Sequence, residues 1–272
     1  MGADSYLFDR PDGRDAEQTR LERQAFLFDP VTERVFRAAG IAPGMRVLDL
    51  GSGAGDVSML AARIVGPAGQ VVGVERNPDA IESAQARVRR AGIGNVSFVE
   101  GDVAAFELED TFDAVVGRLI LLYMPDPAAA LAHAARLLRP GGIVCMHEIN
   151  GSGLAEPDTP LFAEVSRIIV TAFERAGVAI RMADRLHSAF RAAGLTAPEL
   201  RYERVAGGPE RQLTLYLRDE LTGLLPLLER EGLATAEQLD LGTLAARLDA
   251  DLERTGGIVT LWPMIGAWCT VR

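Results

Sequence analysis

The sequence predicts an α/β chain built on a doubly wound, mostly parallel sheet of seven strands. Three observations carry this expectation. From residue 45 to 149, short apolar runs alternate with stretches of helical periodicity, the pattern of strand–helix–strand units. Continuous apolar runs such as "AVV" (114–116) and "IVCM" (143–146) fit strands covered on both faces. A glycine-rich turn, "GSGAG" (51–55), follows the first run directly, and open α/β sheets bind ligands there, outside the carboxyl end of strand one.

Taken in order, "MRVLDLG" (45–51) is the first strand and "VSMLAARIVG" (57–66) its helix. "GQVVGVE" (69–75) is the second strand, followed by the amphipathic helix "NPDAIESAQARVRRAG" (77–92), which opens with Asn-Pro and closes at Gly. "NVSFVEGD" (95–102) and "FDAVVGRL" (112–119) are the third and fourth strands. A helix over 125–142 is stopped by Pro-Gly-Gly, and "IVCMHEIN" (143–150) is the fifth strand. Helices are expected before residue 40, over 161–176 and 184–194, and through 210–253. "PELRYERVAG" (198–207) and "GIVTLWPMIGAWCTVR" (257–272) supply the last two strands. The helical excursions are expected to pack together as a cap over one edge of the sheet.

Composition excludes several classes. The chain has 272 residues, 48% of them hydrophobic, enough to bury a sizeable core. A net charge of −10 argues against nucleic acid, whose phosphates demand basic stripes. All basic residues are Arg. Without Lys there is no P-loop lysine and no Schiff base for a pyridoxal cofactor. His133, His147 and His187 are scattered and lack metal-site spacing, so no metal is expected. Cys145 and Cys269 stand far apart in strand-like segments and read as buried small residues, with a reduced, cytoplasmic setting as the expectation. No apolar run approaches the roughly 18 residues of a membrane span. The charged N-terminus has no apolar h-region, and Tyr6 stands where a myristoylation signal wants Ser or Thr.

The glycine turn alone does not name a ligand. It departs from the dinucleotide pattern G-x-G-x-x-G, because after Gly51 and Gly53 the third position is Asp56, which places negative charge at the helix N-terminus. Glu75 ends strand two, where a carboxylate can accept from both hydroxyls of a ribose. That feature suits a nicotinamide dinucleotide and an adenosyl ligand equally. Asp102 closes strand three and could accept from an adenine amine, and Arg118 stands at the mouth of strand four.

Together, "VLDLGSGAGD", "VVGVERNP", "FVEGDV", "FDAVVGRLILLYMPDPAAAL" and "LLRPGGIV" resemble, in order and spacing, the class I S-adenosylmethionine-dependent methyltransferases. The resemblance covers residues 45 to about 150. "FLFDPVTERVFRAAGIAPGMRVLDLG" is similar to the entry segment of bacterial small-molecule, natural-product-type members. The resemblance implies a Rossmann-like seven-stranded sheet with its last strand antiparallel, and S-adenosyl-L-methionine as cofactor with S-adenosyl-L-homocysteine as product. With the periodicity read above, the organisation expected is an N-terminal helical lid over 1–40, a cofactor-binding core over 41–150, and the rest of the sheet in 151–272 (about 198–207 and 257–272) with cap inserts at about 155–180 and 209–253. Carried over, Gly51, Ser52 and Gly53 would meet the methionine and ribose portion, with Asp49 organising the loop. Glu75 would hold the ribose hydroxyls and Arg76 would lie along the adenine, which Asp102 and Val103 would read. Arg118 would lie near the amino-acid end, and Tyr6 and Gln24 of the lid are further cofactor candidates.

Methyl transfer from an activated sulfonium needs alignment first, and orientation is worth roughly 7–11 kcal/mol. His147 and Glu148, in "CMHEIN", end strand five beside the expected methyl site, and side-chain alternation turns one of them to the cleft. Either is a candidate general base; the alternative is a hydrogen-bonded strand-end residue with no catalytic task. Tyr123 near the strand-four mouth is a third catalytic candidate, as a hydrogen-bond donor to the acceptor, with a core aromatic as its alternative. His133 and His187 read as packing or surface residues. Apolar helices and Trp262 and Met264 favour a small, largely apolar acceptor, and the resemblance of the entry segment to natural-product-type members implies methylation on O or C. Two other readings stay open: a nicotinamide-dependent oxidoreductase, and a cofactor-binding relative that transfers no methyl group. Neither nucleic acid nor membrane is expected as a partner; a homodimer through the N-terminal helices is open, with no specific residue pointing to it.

Overall fold

The computed structural model of the chain describes residues 14–151, 159–209 and 211–272. In chain order, helix α1 (Arg14–Ala39) leads to β1 (Arg46–Leu50), α2 (Asp56–Val65), β2 (Gln70–Glu75), α3 (Pro78–Arg90), β3 (Val96–Glu100) and β4 (Phe112–Arg118). A 3-10 turn, Leu121–Tyr123, precedes α4 (Pro127–Ala135) and β5 (Leu138–Ile149). Then come α5 (Pro160–Arg175), α6 (Met182–Ala192), β6 (Glu199–Glu203), β7 (Ala206–Gly207), α7 (Arg211–Arg230), α8 (Ala236–Leu239), α9 (Leu241–Thr255), β8 (Val259–Thr260) and β9 (Met264–Thr270).

The described residues fall into two compact units. One takes in Asp29–Ile149, Arg181–Glu203 and Met264–Arg272. It holds a seven-stranded sheet in the order β3-β2-β1-β4-β5-β9-β6. Pairs from β3 to β5 are parallel, and β9 runs antiparallel to both β5 and β6. This is the expected Rossmann-like sheet with its last strand reversed. The order turns back between β1 and β4, which puts the switch-point crevice at their carboxyl ends.

Side-chain alternation divides the strands into two buried faces. Val47, Ala114, Val116 and Cys145 share one face with α2 and with Val35, Phe36 and Ala39 of α1. Residues 32, 35, 36 and 39 follow helical spacing, so one stripe of α1 is buried on the sheet. Leu48, Leu50, Val115, Val144 and Met146 are buried on the opposite face. Local signals start the helices as expected. The Asn77 side chain accepts from Asp79 N–H ahead of Pro78, and Asp126 accepts from Ala129 N–H ahead of Pro127.

The other unit comprises the described parts of Met1–Phe28, Asn150–Ile180 and Arg204–Pro263. In it α5, α7 and α9 pack together, and β7 pairs with β8 in a separate two-stranded ribbon. Its buried polar centre is an ion pair between Arg20 and Glu220 at 3.0 Å. Gln24 accepts from the same guanidinium at 2.9 Å.

Three sequence expectations need correction. The helix expected over 125–142 ends at Ala135, and Leu138 already pairs with Phe112. Pro140-Gly141-Gly142 lies within β5 instead of stopping a helix. Gly141 takes φ +79°, its N–H donates to Val271 O, and Val271 N–H donates to Gly142 O. The single strand expected at 198–207 splits into β6 and β7, and the one at 257–272 into β8 and β9. Residues 14–39 form one helix with Pro30 inside it, where several were expected.

Candidate functional site

The loop after β1 is shaped by three left-handed glycines, Gly51 (φ +63°), Gly53 (φ +52°) and Gly55 (φ +87°). Two of them matter for different reasons. A Cβ on Gly51 would sit 2.3 Å from Ile120 Cδ1, so this glycine admits the neighbouring chain. A Cβ on Gly53 would meet nothing within 4 Å, so this glycine keeps its surroundings open. Ser52 N–H donates to Val74 O at 3.0 Å, which ties the loop to β2.

Glu75, at the end of β2, closes the loop from the other side. Its Oε2 accepts from Gly53 N–H and its Oε1 from the N–H groups of Arg76 and Asn77, each at 2.9 Å. A carboxylate offers about four acceptor positions, so capacity is left for a hydroxyl. Asp49 is buried behind the loop. Its Oδ2 accepts from Ser58 Oγ at 2.6 Å, and its Oδ1 has no partner among the described residues. Burial raises the Asp49 pKa to about 7, against the Ser58 hydrogen bond and the Arg118 charge. Ser52 Oγ is likewise buried without a partner among the described residues.

Asp56 begins α2 and forms a buried ion pair with Arg87 of α3 at 2.6 Å. Arg87 also donates to Ala54 O. The charge that the sequence sets against a pyrophosphate is thus neutralised, and it pins the loop to α3. Beyond β3, the Asp102 carboxylate accepts from Ala104 N–H at 2.8 Å on the surface, while Val103 turns inward and is buried. Arg76 is exposed.

At the ends of β4 and β5 the picture changes. Arg118 is buried, and its Nη1 donates to Asp29 Oδ1 (2.9 Å) and Thr32 Oγ1 (3.1 Å) of α1. Asp29 is shared with Arg63 of α2. Through Nη1, Arg118 fastens α1 to β4. His147 shares that face. Its Nδ1 lies 3.1 Å from Thr32 Oγ1, and its Nε2 has no partner among the described residues. Burial and then the Arg118 charge lower the His147 pKa to about 3. A fully buried imidazole of that pKa is a poor proton acceptor, which counts against His147 as the general base.

Glu148 points to the opposite face. Its Oε1 accepts from Ile120 N–H (3.0 Å) and Leu121 N–H (2.8 Å), and burial raises its pKa to about 8. Tyr123 is half-buried at the end of the 3-10 turn. Gln24 belongs to the helical unit, and Tyr6 lies outside the described residues. His133 packs as expected, within 2.6 Å of Phe106 O, and His187 is exposed. The described residues contain no group of three or more His, Cys, Asp or Glu placed to hold a metal. No helix among them is long and apolar enough to cross a membrane.

The structure thus gathers Asp49, Gly51, Ser52, Gly53 and Glu75 around one loop. Sequence reading missed Asp29, Thr32, Arg87 and Ile120, and none of them carries a local signal. Their partners lie 89, 115, 31 and 28 positions away in the chain.

A family model described as a methyltransferase domain matches residues 41–191, more than half of the chain. The chain belongs to the S-adenosylmethionine-dependent methyltransferase family. Arsenite methyltransferase of Aquipseudomonas alcaligenes is 34% identical over 182 residues, covering 62% of this chain and 51% of that protein. The ubiquinone/menaquinone biosynthesis C-methyltransferase UbiE of Shewanella halifaxensis is 36% identical over 115 residues, covering 42% and 46%. The matched part of this chain therefore spans about half the length of these relatives, or less. Among solved structures, a SAM-dependent methyltransferase from Aquifex aeolicus superposes with a TM-score of 0.54 at 20% identity, over 72% of this chain and 94% of that one. A [4+2]-cyclase, SpnF, gives 0.52 at 23% identity, over 90% and 82%. Both likenesses establish the fold.

Membership implies S-adenosylmethionine as the methyl donor, and the residues present fit it. Gly53 leaves open space beside the loop, and Asp49 and Ser52 each hold a buried polar atom without a partner among the described residues. Of the charges that reach Asp49, those of Glu75 and Asp56 raise its pKa and that of Arg118 lowers it.

Proposed function

We propose that the chain is a methyltransferase that moves the methyl group of S-adenosylmethionine to oxygen or carbon of a small, largely apolar acceptor. The observation that carries this is the glycine loop closed by the Glu75 carboxylate beside an open Gly53. When bound, the cofactor supplies an activated methyl group on a sulfonium, and the protein's task is placement. In this reading Gly51, Ser52 and Gly53 lie against the methionine and ribose portion, Glu75 accepts from a ribose hydroxyl, and Asp102 and Val103 flank the adenine with Arg76. Asp49 holds the loop through Ser58.

No strand-five residue serves as a strong base in this reading. Its pKa of about 3 makes His147 a weak base, so alignment of acceptor and methyl group contributes the main part of the rate, roughly 7–11 kcal/mol. Acceptors that are already nucleophilic, such as ionised phenols or electron-rich carbon, suit such a site.

The test is incubation with methyl-labelled S-adenosylmethionine and phenolic, indolic and isoprenoid acceptors, followed by mass spectrometry. Label in at least one product is expected. Cofactor binding with no transfer to any acceptor would favour the second reading, a methyltransferase fold put to other use. That reading draws on a chain named as a [4+2]-cyclase sharing the fold.

A further inference from the structure

Glu148 is fully buried on the face of β5 opposite His147. One of its oxygens takes two backbone donors of a single turn, Ile120 N–H at 3.0 Å and Leu121 N–H at 2.8 Å. Its other oxygen has no partner among the described residues. The residue just before that turn, Leu119, has φ +55°, a left-handed conformation that a branched side chain rarely adopts. Leu119 N–H donates to His147 O at 3.0 Å. The backbone leaving β4 is therefore held at three successive amides by the last residues of β5.

What this hold achieves is read from Ile120. Its side chain lies where a Cβ on Gly51 or Gly117 would fall, 2.3 Å from its Cδ1 and 2.8 Å from its Cγ2 respectively. Two glycines thus make room for one isoleucine, and that isoleucine forms a wall of the glycine loop. Buried N–H groups at the start of a helical turn need an acceptor, and no apolar residue at 148 would provide one.

We propose that Glu148 is a positioning residue that locks the Leu119–Leu121 turn, so that Ile120 sets the shape of the glycine loop and through it the cofactor affinity. The proposal rests on the methyltransferase reading for its last step and on geometry alone for the lock. Burial raises the Glu148 pKa to about 8, so the side chain is mainly a neutral acid at pH 7, for which Gln is a close match in shape and charge.

The experiment uses the full chain with Glu148→Gln, Glu148→Leu and Ile120→Ala, and reads amide hydrogen exchange without ligand and S-adenosylhomocysteine titration by calorimetry. Glu148→Gln is expected to keep wild-type protection at Ile120 and Leu121 and wild-type affinity. Glu148→Leu is expected to speed exchange at both amides and weaken the ligand by about tenfold or more, as for buried donors left without an acceptor. Ile120→Ala is expected to keep the Leu121 protection yet weaken the ligand, which tests the wall even where Glu148→Leu fails to fold. Unchanged protection in Glu148→Leu would overturn the lock, as would equal loss of affinity in the Gln and Leu variants, which would mean that charge is required. Unaltered affinity in Ile120→Ala would overturn the wall. Absence of binding by the wild type would instead overturn the methyltransferase reading, with the exchange data still deciding the lock.

Discussion

The carboxyl ends of β1 and β2 and those of β4 and β5 sit in the same sheet and both gather charged side chains, but they are built in opposite ways. At the first pair the walls are backbone. Glycines in left-handed geometry form the loop, and the Glu75 carboxylate holds it through N–H groups. At the second pair the walls are buried side chains that reach other elements: Arg118 to Asp29, His147 to Thr32, and Glu148 to the 119–121 turn. Each pair leaves two buried polar atoms without a partner among the described residues, Asp49 Oδ1 and Ser52 Oγ at the first and His147 Nε2 and Glu148 Oε2 at the second. The difference lies in what the bonded atoms hold: the loop backbone at the first pair, α1 and the 119–121 turn at the second.

The largest expected effect sharpens this contrast where the backbone loop does depend on a side-chain pair. Arg87→Met leaves Asp56 buried without its partner and should destabilise the chain by about 3–5 kcal/mol in urea unfolding. Next come the two loop glycines. Gly51→Ala meets Ile120 and adopts a strained φ, so a loss of about 2–5 kcal/mol is expected. Gly53→Ala meets nothing and should lose only about 1–2 kcal/mol, while still weakening S-adenosylhomocysteine by filling the open space. Equal destabilisation of the two variants would break the distinction between a packing glycine and a ligand glycine.

The strand-five pair should separate along the pH axis. The unfolded chain protonates His147 near 6.5 and the folded chain only near 3, so its contribution is full above pH 6.5 and declines as pH falls toward 3. Glu148 titrates near 4.5 unfolded and about 8 folded, so its contribution is full below about 4.5 and declines as pH rises toward 8. Asp49, raised from 3.8 to about 7, adds to the same alkaline decline. Melting temperatures across pH 4–8 should therefore show His147→Gln flattening the acid side and Glu148→Gln the alkaline side. The same slope in both variants would contradict these burials. The smallest effect is a control: Asp110, on the surface beside Arg46, has its carboxyl pKa lowered by that hydrogen bond, and Asp110→Asn should leave both melting and ligand binding unchanged.

The same contrast explains what could be read from the residues alone. β1 to β4 lie within one or two residues of their expected limits, because apolar runs, glycines and Asn-Pro or Asp-Pro starts are local signals. The glycine loop and Glu75 were legible for the same reason, being 22 positions apart and joined by one strand–helix–strand unit. "LLRPGG" was misread because Pro and Gly ordinarily end helices, whereas here Gly141 and Gly142 bond to Val271 at the far end of the chain. Arg118 and His147 were placed on the correct strands but given open surroundings, since nothing near them in sequence announces the Asp29 and Thr32 that cover them. In the helical unit, Arg20 and Glu220 meet across 200 positions, and an amphipathic pattern reveals that a helix is buried without revealing against what.

The most direct measurement is calorimetric titration of the wild-type chain and Glu75→Ala with S-adenosylhomocysteine, S-adenosylmethionine and NADH. Saturable binding of both adenosyl sulfur compounds by the wild type, lost in Glu75→Ala and absent for NADH, is the expected result. Binding of NADH alone, or adenosyl binding untouched by Glu75→Ala, would contradict a glycine loop closed by Glu75 as the cofactor cradle.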